Sequence, residues 1–63
     1  MVTLKLRSKI FESRPGLTLL STLSKLGIIP ESVLATRNGE LLTEDEILLD
    51  DDFIGLIEVI SGG

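Results

Sequence analysis

The chain has 63 residues and a formal net charge of −4, and it contains neither cysteine nor histidine. Disulfides, thiolate or imidazole chemistry and the usual zinc sites are therefore excluded, and a serine nucleophile would lack a histidine base. The acidic balance argues against direct nucleic-acid binding, because phosphate contacts require a basic surface. With 43% hydrophobic residues, the chain is expected to form one small domain with a thin core.

No stretch of the sequence approaches the roughly 20 consecutive apolar residues of a membrane-spanning helix. The N-terminal residues alternate between apolar and polar types, whereas a signal peptide has a continuous apolar block. We therefore expect a cytoplasmic protein without membrane partners.

The first elements predicted along the chain are two strands that form a hairpin. Residues 2–7 alternate between apolar and polar side chains, which is the pattern of a strand with one buried face. A tight turn at Ser8-Lys9 leads to a second short strand at residues 10–13. Pro15-Gly16 ends this strand, since proline cannot donate a ladder hydrogen bond.

Residues 18–26 change to the period of a helix. One apolar stripe is formed by Leu19, Leu20, Leu23 and Leu26. Thr18 is suited to the N-cap. Gly27 stands where a left-handed C-terminal cap is expected, and Pro30 lies just beyond, where the helix cannot continue.

The C-terminal half of the chain is predicted to contain three further strands. Residues 33–37 form the third strand, and Asn38-Gly39 is a strong hairpin-turn signal because both residues tolerate positive φ. Leu41-Leu42 forms a short returning strand. The acidic segment at residues 43–52 is expected to be irregular, with Ile47, Leu48 and Leu49 beneath it. Residues 53–60 form the last strand.

The predicted order is strand, strand, helix, strand, short strand, strand. The first and last strands are strongly apolar, which suits central positions in the sheet. This order describes an α+β fold, a β-grasp, in which a mixed sheet of four to five strands covers one helix. Gly55 is unusual inside a strand and suggests a bulge or a close approach of backbone. The domain is expected to span residues 1–60, followed by a flexible tail at residues 61–63.

Clustered carboxylates at residues 44–46 and 50–52 are the kind of ligand that divalent cations prefer. Their spacing does not match the calcium-loop pattern, however, and a solvated loop that keeps an apolar protein soluble explains them better. The acidic residues could also help to dock a basic partner. We expect no metal site and no catalytic residue in this chain.

The tail Ser61-Gly62-Gly63 is the part of the sequence best suited to chemistry. Glycine is costly to order but has no Cβ, so this tail forms a thin thread that can enter a narrow channel of another protein. The free carboxylate of Gly63 is unhindered, and ATP can convert it to an acyl-adenylate in a partner's active site. Sulfide attack then gives a thiocarboxylate, and amine attack gives an amide. The alternative to this functional interpretation is that the two glycines are only a frayed chain end.

The stretch from Asp50 to Gly63 resembles the C-terminal end of the ThiS/MoaD family of ubiquitin-related sulfur carriers. It combines an acidic turn, an alternating apolar strand and two final glycines. Asn38-Gly39-Glu40 and Leu26-Gly27-Ile28 also resemble family features. The family's acidic turn is often Asp-Gly-Asp, whereas Asp51 stands in the middle here. The chain length is similar to that of the shorter carriers, of the thiamine or tRNA type.

This resemblance implies a ubiquitin-like β-grasp that serves as a protein co-substrate and is not itself an enzyme. An E1-like adenylating enzyme would use ATP to activate Gly63, with Gly62 and Ser61 needed for passage of the tail. A sulfur donor of the cysteine desulfurase or rhodanese type would then supply the sulfur. The downstream biosynthetic enzyme would make thiamine, thiolated tRNA or molybdopterin. No permanently bound cofactor is expected.

The last strand is also a predicted docking surface. If Ile54 and Leu56 point inward, as in the family pattern, then Phe53, Ile57 and Val59 point outward, next to the tail. Two other functions stay open. A protein modifier would end as an amide of Gly63 on target lysines, and a purely non-covalent binding module would tolerate the loss of both terminal glycines.

Overall fold

The structure, a computed structural model, describes residues 1–59. Within these residues the elements are β1 (Val2–Leu6), β2 (Lys9–Ser13), α1 (Leu19–Lys25), a 3-10 turn (Pro30–Ser32), β3 (Val33–Arg37), β4 (Glu40–Leu41) and β5 (Phe53–Glu58). No helix in this part of the chain is long and apolar enough to cross a membrane.

The strands form one mixed sheet in the order β2-β1-β5-β3-β4. β1 and β5 run parallel, with Leu4 opposite Ile54 and Leu6 opposite Leu56, and the other neighbouring strands are antiparallel. The two apolar strands therefore occupy central positions, as predicted. One helix on a five-stranded mixed sheet confirms the α+β β-grasp.

The core lies between α1 and the sheet face that α1 covers. It is built from aliphatic side chains of the two central strands, the helix, β3 and the acidic segment. These residues are Val2, Leu4, Leu19, Leu23, Val33, Ala35, Leu48, Ile54 and Leu56. Each fully buried aliphatic side chain stabilises the fold by about 1.5–3 kcal/mol, so this thin core depends on every member.

Both predicted helix caps are present. The Thr18 Oγ1 accepts a hydrogen bond from the Ser21 N–H at 3.1 Å, and this satisfies a backbone donor of the first turn. Leu26 is the C-cap, and Gly27 follows with a φ of 76°. α1 thus begins and ends where the sequence signals place it.

The two hairpin turns differ in how well the sequence predicts them. Asn38 and Gly39 have φ values of 53° and 83°, as the Asn-Gly signal predicts. The prediction of a first turn at Ser8-Lys9 is wrong by one residue. Leu6 pairs with Lys9, so the turn residues are Arg7 and Ser8, and Arg7 has a φ of 56°.

Two predicted strand boundaries also shift. β4 is Glu40–Leu41, because a two-residue turn pairs Glu40 with Arg37. Leu42 lies just outside β4 and donates its N–H to the Ala35 carbonyl at 2.8 Å. β5 ends at Glu58, before the predicted limit at residue 60, which lies outside the described residues.

The acidic segment does not bury all three of its predicted apolar residues. Leu48 is fully buried, whereas Ile47 and Leu49 are 46% and 58% exposed. The segment is extended: the Gly16 N–H donates to the Leu48 carbonyl at 2.8 Å, and the Leu48 N–H donates to the Leu17 carbonyl at 2.9 Å. Successive side chains of extended backbone point in opposite directions, so only the middle one reaches the core.

Gly55 marks a close approach of neighbouring strands. The register continues through it without a bulge, with Lys5 on one side and Thr36 on the other. A Cβ at this position would lie 3.0 Å from the Thr36 Oγ1. Of the two predicted explanations for Gly55, the close approach is the one observed.

Candidate functional site

The sheet face opposite α1 carries an exposed apolar patch, formed by Leu34 on β3 and by Phe53 and Ile57 on β5. These side chains are 43%, 57% and 53% exposed. Leu34 is paired with Ile57, so the two are adjacent across the ladder. Gly55 lies between Phe53 and Ile57 on the same side of β5. This outer apolar patch offers a surface of the kind that binds other proteins.

The alternation of β5 agrees with what the docking hypothesis requires. Ile54 and Leu56 are buried in the core, and Phe53 and Ile57 are exposed. Val59 follows the strand and is partly buried. The docking role of Phe53, Ile57 and Val59 stays a prediction.

Ser61, Gly62 and Gly63, the residues predicted to react and to pass through a partner's channel, lie outside the described residues. The structure defines where they are attached to the fold. Val59 leaves β5 at the end of the sheet where β1 also ends, because β1 and β5 are parallel. The Val59 N–H donates to the Ser32 carbonyl at 2.9 Å. The point of attachment is therefore held against the turn that precedes β3.

The β1–β2 turn lies beside this attachment point. Arg7 Nη2 is 3.2 Å from Glu58 Oε2, and the two side chains are 76% and 45% exposed. A depression of about 300 Å³ is lined by Leu6, Arg7, Ser8, Lys9 and Glu58. This end of the domain thus combines cationic side chains with the strand that leads to the tail.

The opposite end of the domain is organised around Arg37. Arg37 Nη2 is 2.6 Å from Asp52 Oδ2, and it also donates to the Ile47 carbonyl at 3.2 Å. The Leu49 N–H donates to the same Asp52 oxygen at 2.8 Å. The Leu49 N–H, followed by the Arg37 guanidinium, holds the pKa of the Asp52 carboxyl below its ordinary value.

This Arg37–Asp52 pair was missed by the sequence analysis, which treated the acidic residues as a solvated group. A signal was present in the period of β3. Arg37 falls on the same side of the strand as Val33 and Ala35, which are buried. An arginine on the core side of a strand requires an anionic partner. The sequence does not indicate which of the ten acidic residues is the partner of Arg37.

The remaining acidic turn contacts the start of β1. Asp50 Oδ1 is 2.5 Å from the terminal amine of Met1, and the Asp51 N–H donates to the Met1 carbonyl at 3.2 Å. The amine lowers the pKa of the Asp50 carboxyl, and Asp50 in turn raises the pKa of the amine. Within residues 1–59, no three acidic side chains converge to hold a metal ion. The contacts of Asp50 and Asp51 with Met1 hold the acidic turn against the start of β1.

Comparison with known proteins assigns the chain to a family. The ThiS family profile matches residues 2–63, which includes the Ser-Gly-Gly end. The chain is also similar to the sulfur carrier protein TtuB of Thermus thermophilus. The two are 36% identical over 55 residues, which is 87% of this chain and 85% of the relative. Together with the β-grasp fold, these similarities confirm the resemblance, and the chain belongs to the ThiS family.

Proposed function

We propose that this protein is a sulfur carrier whose Gly63 carboxylate is converted to a thiocarboxylate. The observation that carries this proposal is the family match, which continues through the two final glycines. The similarity to a protein named as a sulfur carrier supports it. On this proposal the chain is a co-substrate of other enzymes, acts in the cytoplasm and keeps no cofactor of its own.

The chemistry takes place in the partner's active site. A carboxylate oxygen of Gly63 attacks the α-phosphorus of ATP, and pyrophosphate leaves, so the carboxylate becomes an acyl-adenylate. Sulfur at the sulfide level then attacks the carbonyl carbon, and AMP leaves with the bonding electron pair. Where a cysteine desulfurase or rhodanese-type donor supplies a persulfide, a second thiol reduces the resulting acyl disulfide. Gly62 and Ser61 let the tail reach the reacting groups.

The outer apolar patch is proposed as the surface that binds the E1-like activating enzyme. Its members Phe53 and Ile57 are half or more exposed and lie on the strand that leads to the tail. Aromatic and aliphatic side chains in the centre of an interface contribute most of its binding energy. A partner that covers this patch also receives Val59 and the residues attached to it.

The recipient of the sulfur is proposed to be an enzyme that makes thiamine, thiolated tRNA or molybdopterin. A chain of 63 residues favours the thiamine or tRNA types, whose carriers are the shorter ones. The sulfur carrier protein TtuB has a similar length, because the alignment covers 85% of that protein and 87% of this chain.

The test is an intact mass of the purified protein after incubation with its host's activating enzyme, ATP and a sulfur donor. We expect a mass gain equal to the replacement of one oxygen by sulfur, mapped by fragmentation to Gly63. A variant that lacks Gly63 is the control and is expected to gain nothing.

Two outcomes contradict the proposal. If Gly63 stays an ordinary carboxylate while lysine-linked conjugates appear, the protein is a modifier. If neither change occurs with an enzyme that activates another carrier, the domain acts as a non-covalent binding module.

A further inference from the structure

Arg7 breaks a local rule of hairpin turns. It has a positive φ of 56°, a conformation that the Cβ of most residues disfavours. The other described residues of this kind, glycines apart, are Asn38 and Asp51, whose short polar side chains tolerate it. A backbone conformation that the residue type does not favour is a reason to look for a functional role.

The contacts of Arg7 within the domain do not explain why an arginine stands there. Its side chain is 76% exposed, and it reaches the half-exposed Glu58 carboxylate at 3.2 Å. Surface ion pairs of this type contribute little to folding stability. The Glu58 carboxylate instead holds the guanidinium beside the last residue of β5, and it can release the guanidinium to another anion at little cost.

Arg7 lies at the end of the sheet from which β5 leads to the tail, because its guanidinium contacts Glu58, the last residue of β5. Leu6, the last residue of β1, pairs with Leu56 in the parallel ladder, and Arg7 follows it as the first residue of the turn. Residue 57 is a member of the patch and is two residues before Val59. A partner that takes up the tail therefore approaches the same end of the sheet as Arg7.

The charge of the domain is unevenly distributed along the sheet. Asp50, Asp51 and Asp52 lie at the end where β1 begins, where the Asp51 N–H bonds to Met1. Arg7 and Lys9 lie at the other end, where β1 stops. A protein with a net charge of −4 thus presents a cationic turn at the end of the sheet from which β5 leads to the tail. Such a distribution steers the tail end toward an acidic surface and turns the acidic end away from it.

We propose that Arg7 is a specificity-determining contact that pairs with carboxylates around the channel mouth of the activating enzyme. This inference rests on the proposed function, because it requires a partner that accepts the tail. The partner's surface is expected to be acidic beside an apolar site that fits Phe53 and Ile57. Arg7 then leaves Glu58 and pairs across the interface, with Lys9 adding to the attraction.

The test compares Arg7→Asn and Arg7→Lys with the wild-type protein in the activation assay, at low and at high ionic strength. We expect Arg7→Asn to raise the KM for the carrier about fivefold at low salt with kcat unchanged, and the difference to shrink as salt screens the charges. Arg7→Lys keeps the charge and should stay within about twofold of wild type. The melting temperature of Arg7→Asn should equal or exceed that of wild type, because asparagine suits the turn.

Arg14→Asn is the matched control, since Arg14 is an exposed arginine beyond β2, at the acidic end of the sheet. Its KM is expected to match that of wild type. An unchanged KM in Arg7→Asn, or an equal rise in Arg14→Asn, overturns the inference. The intact mass of the wild-type protein is read first. If no sulfur is incorporated, the proposed function fails, whereas normal incorporation with an unchanged KM in Arg7→Asn removes the role of Arg7 alone.

Discussion

Arg37, at the end of β3, places its Nη2 2.6 Å from Oδ2 of Asp52 and so ties the acidic segment to the sheet. The Leu49 N–H donates to the same oxygen at 2.8 Å, and the Arg37 guanidinium also reaches the Ile47 carbonyl. Between these two attachments Leu48 enters the core. The pair therefore positions a core residue as well as a surface loop.

The Asp52 carboxyl should make folding stability depend on pH in the acid range. Its pKa is lower in the folded chain than its ordinary value of 3.8. The stabilisation that the ionised Asp52 carboxylate provides is therefore fully present above the ordinary pKa of 3.8. This stabilisation is lost as the pH falls through the lower pKa of the folded chain. We expect Asp52→Asn to lower the free energy of unfolding by about 1–2 kcal/mol at neutral pH. Urea unfolding from neutral pH to about pH 2 should show this difference disappear. A difference that persists at the acid limit would contradict the assignment.

Asp51 has a φ of 66° in the acidic turn, at the position where the family often carries glycine. A Cβ in this conformation is unfavourable, so Asp51→Gly should be more stable than Asp51→Ala by about 1 kcal/mol. Both substitutions remove the carboxylate, so their difference isolates the backbone effect. Urea denaturation of the two variants measures it. Equal stabilities would show that the turn changes conformation without strain.

The close approach at Gly55 predicts a specific coupling with Thr36. In Gly55→Ala the new Cβ would lie 3.0 Å from the Thr36 Oγ1, and we expect a loss of about 1–2 kcal/mol in the free energy of unfolding. Thr36→Ala removes that oxygen, so the same substitution should be less destabilising in this background. A double-mutant cycle by chemical denaturation gives the coupling. Additive effects of the two substitutions would mean that Thr36 is not the obstacle.

Ile57→Asp should weaken activation without unfolding the domain. The Ile57 side chain is 53% exposed, so aspartate on this strand should lower the free energy of unfolding by only about 1 kcal/mol. In the centre of an interface it should lower kcat/KM for activation about tenfold or more. Ile47→Asp is the matched control, because this isoleucine is 46% exposed on the acidic segment, away from the patch. Normal activation of Ile57→Asp, or equal impairment of Ile47→Asp, would show that the patch does not dock the enzyme.

Periodicity in the sequence predicted the helix and the inward and outward sides of β5, and the residue types at Thr18, Gly27 and Pro30 predicted the ends of the helix. These features depend on neighbours a few residues apart, which a sequence displays directly. The Arg37–Asp52 pair and the exposure of Ile47 and Leu49 were missed. They depend on the acidic segment forming hydrogen bonds with residues 16–19 and with Arg37, and no local pattern states such contacts. The first turn was placed one residue late because Arg7 lacks the glycine or asparagine signal of such turns.

The central position of β5 makes folding depend on the segment that leads to the tail. Leu4 on β1 pairs with Ile54 on β5, although almost the whole chain separates them in sequence. A chain that stops before β5 leaves both β1 and β3 without their shared neighbour and cannot close the core. Pairing over so long a separation also slows folding. Folding therefore discriminates against chains that stop before β5, because only a chain that includes β5 can join β1 to β3.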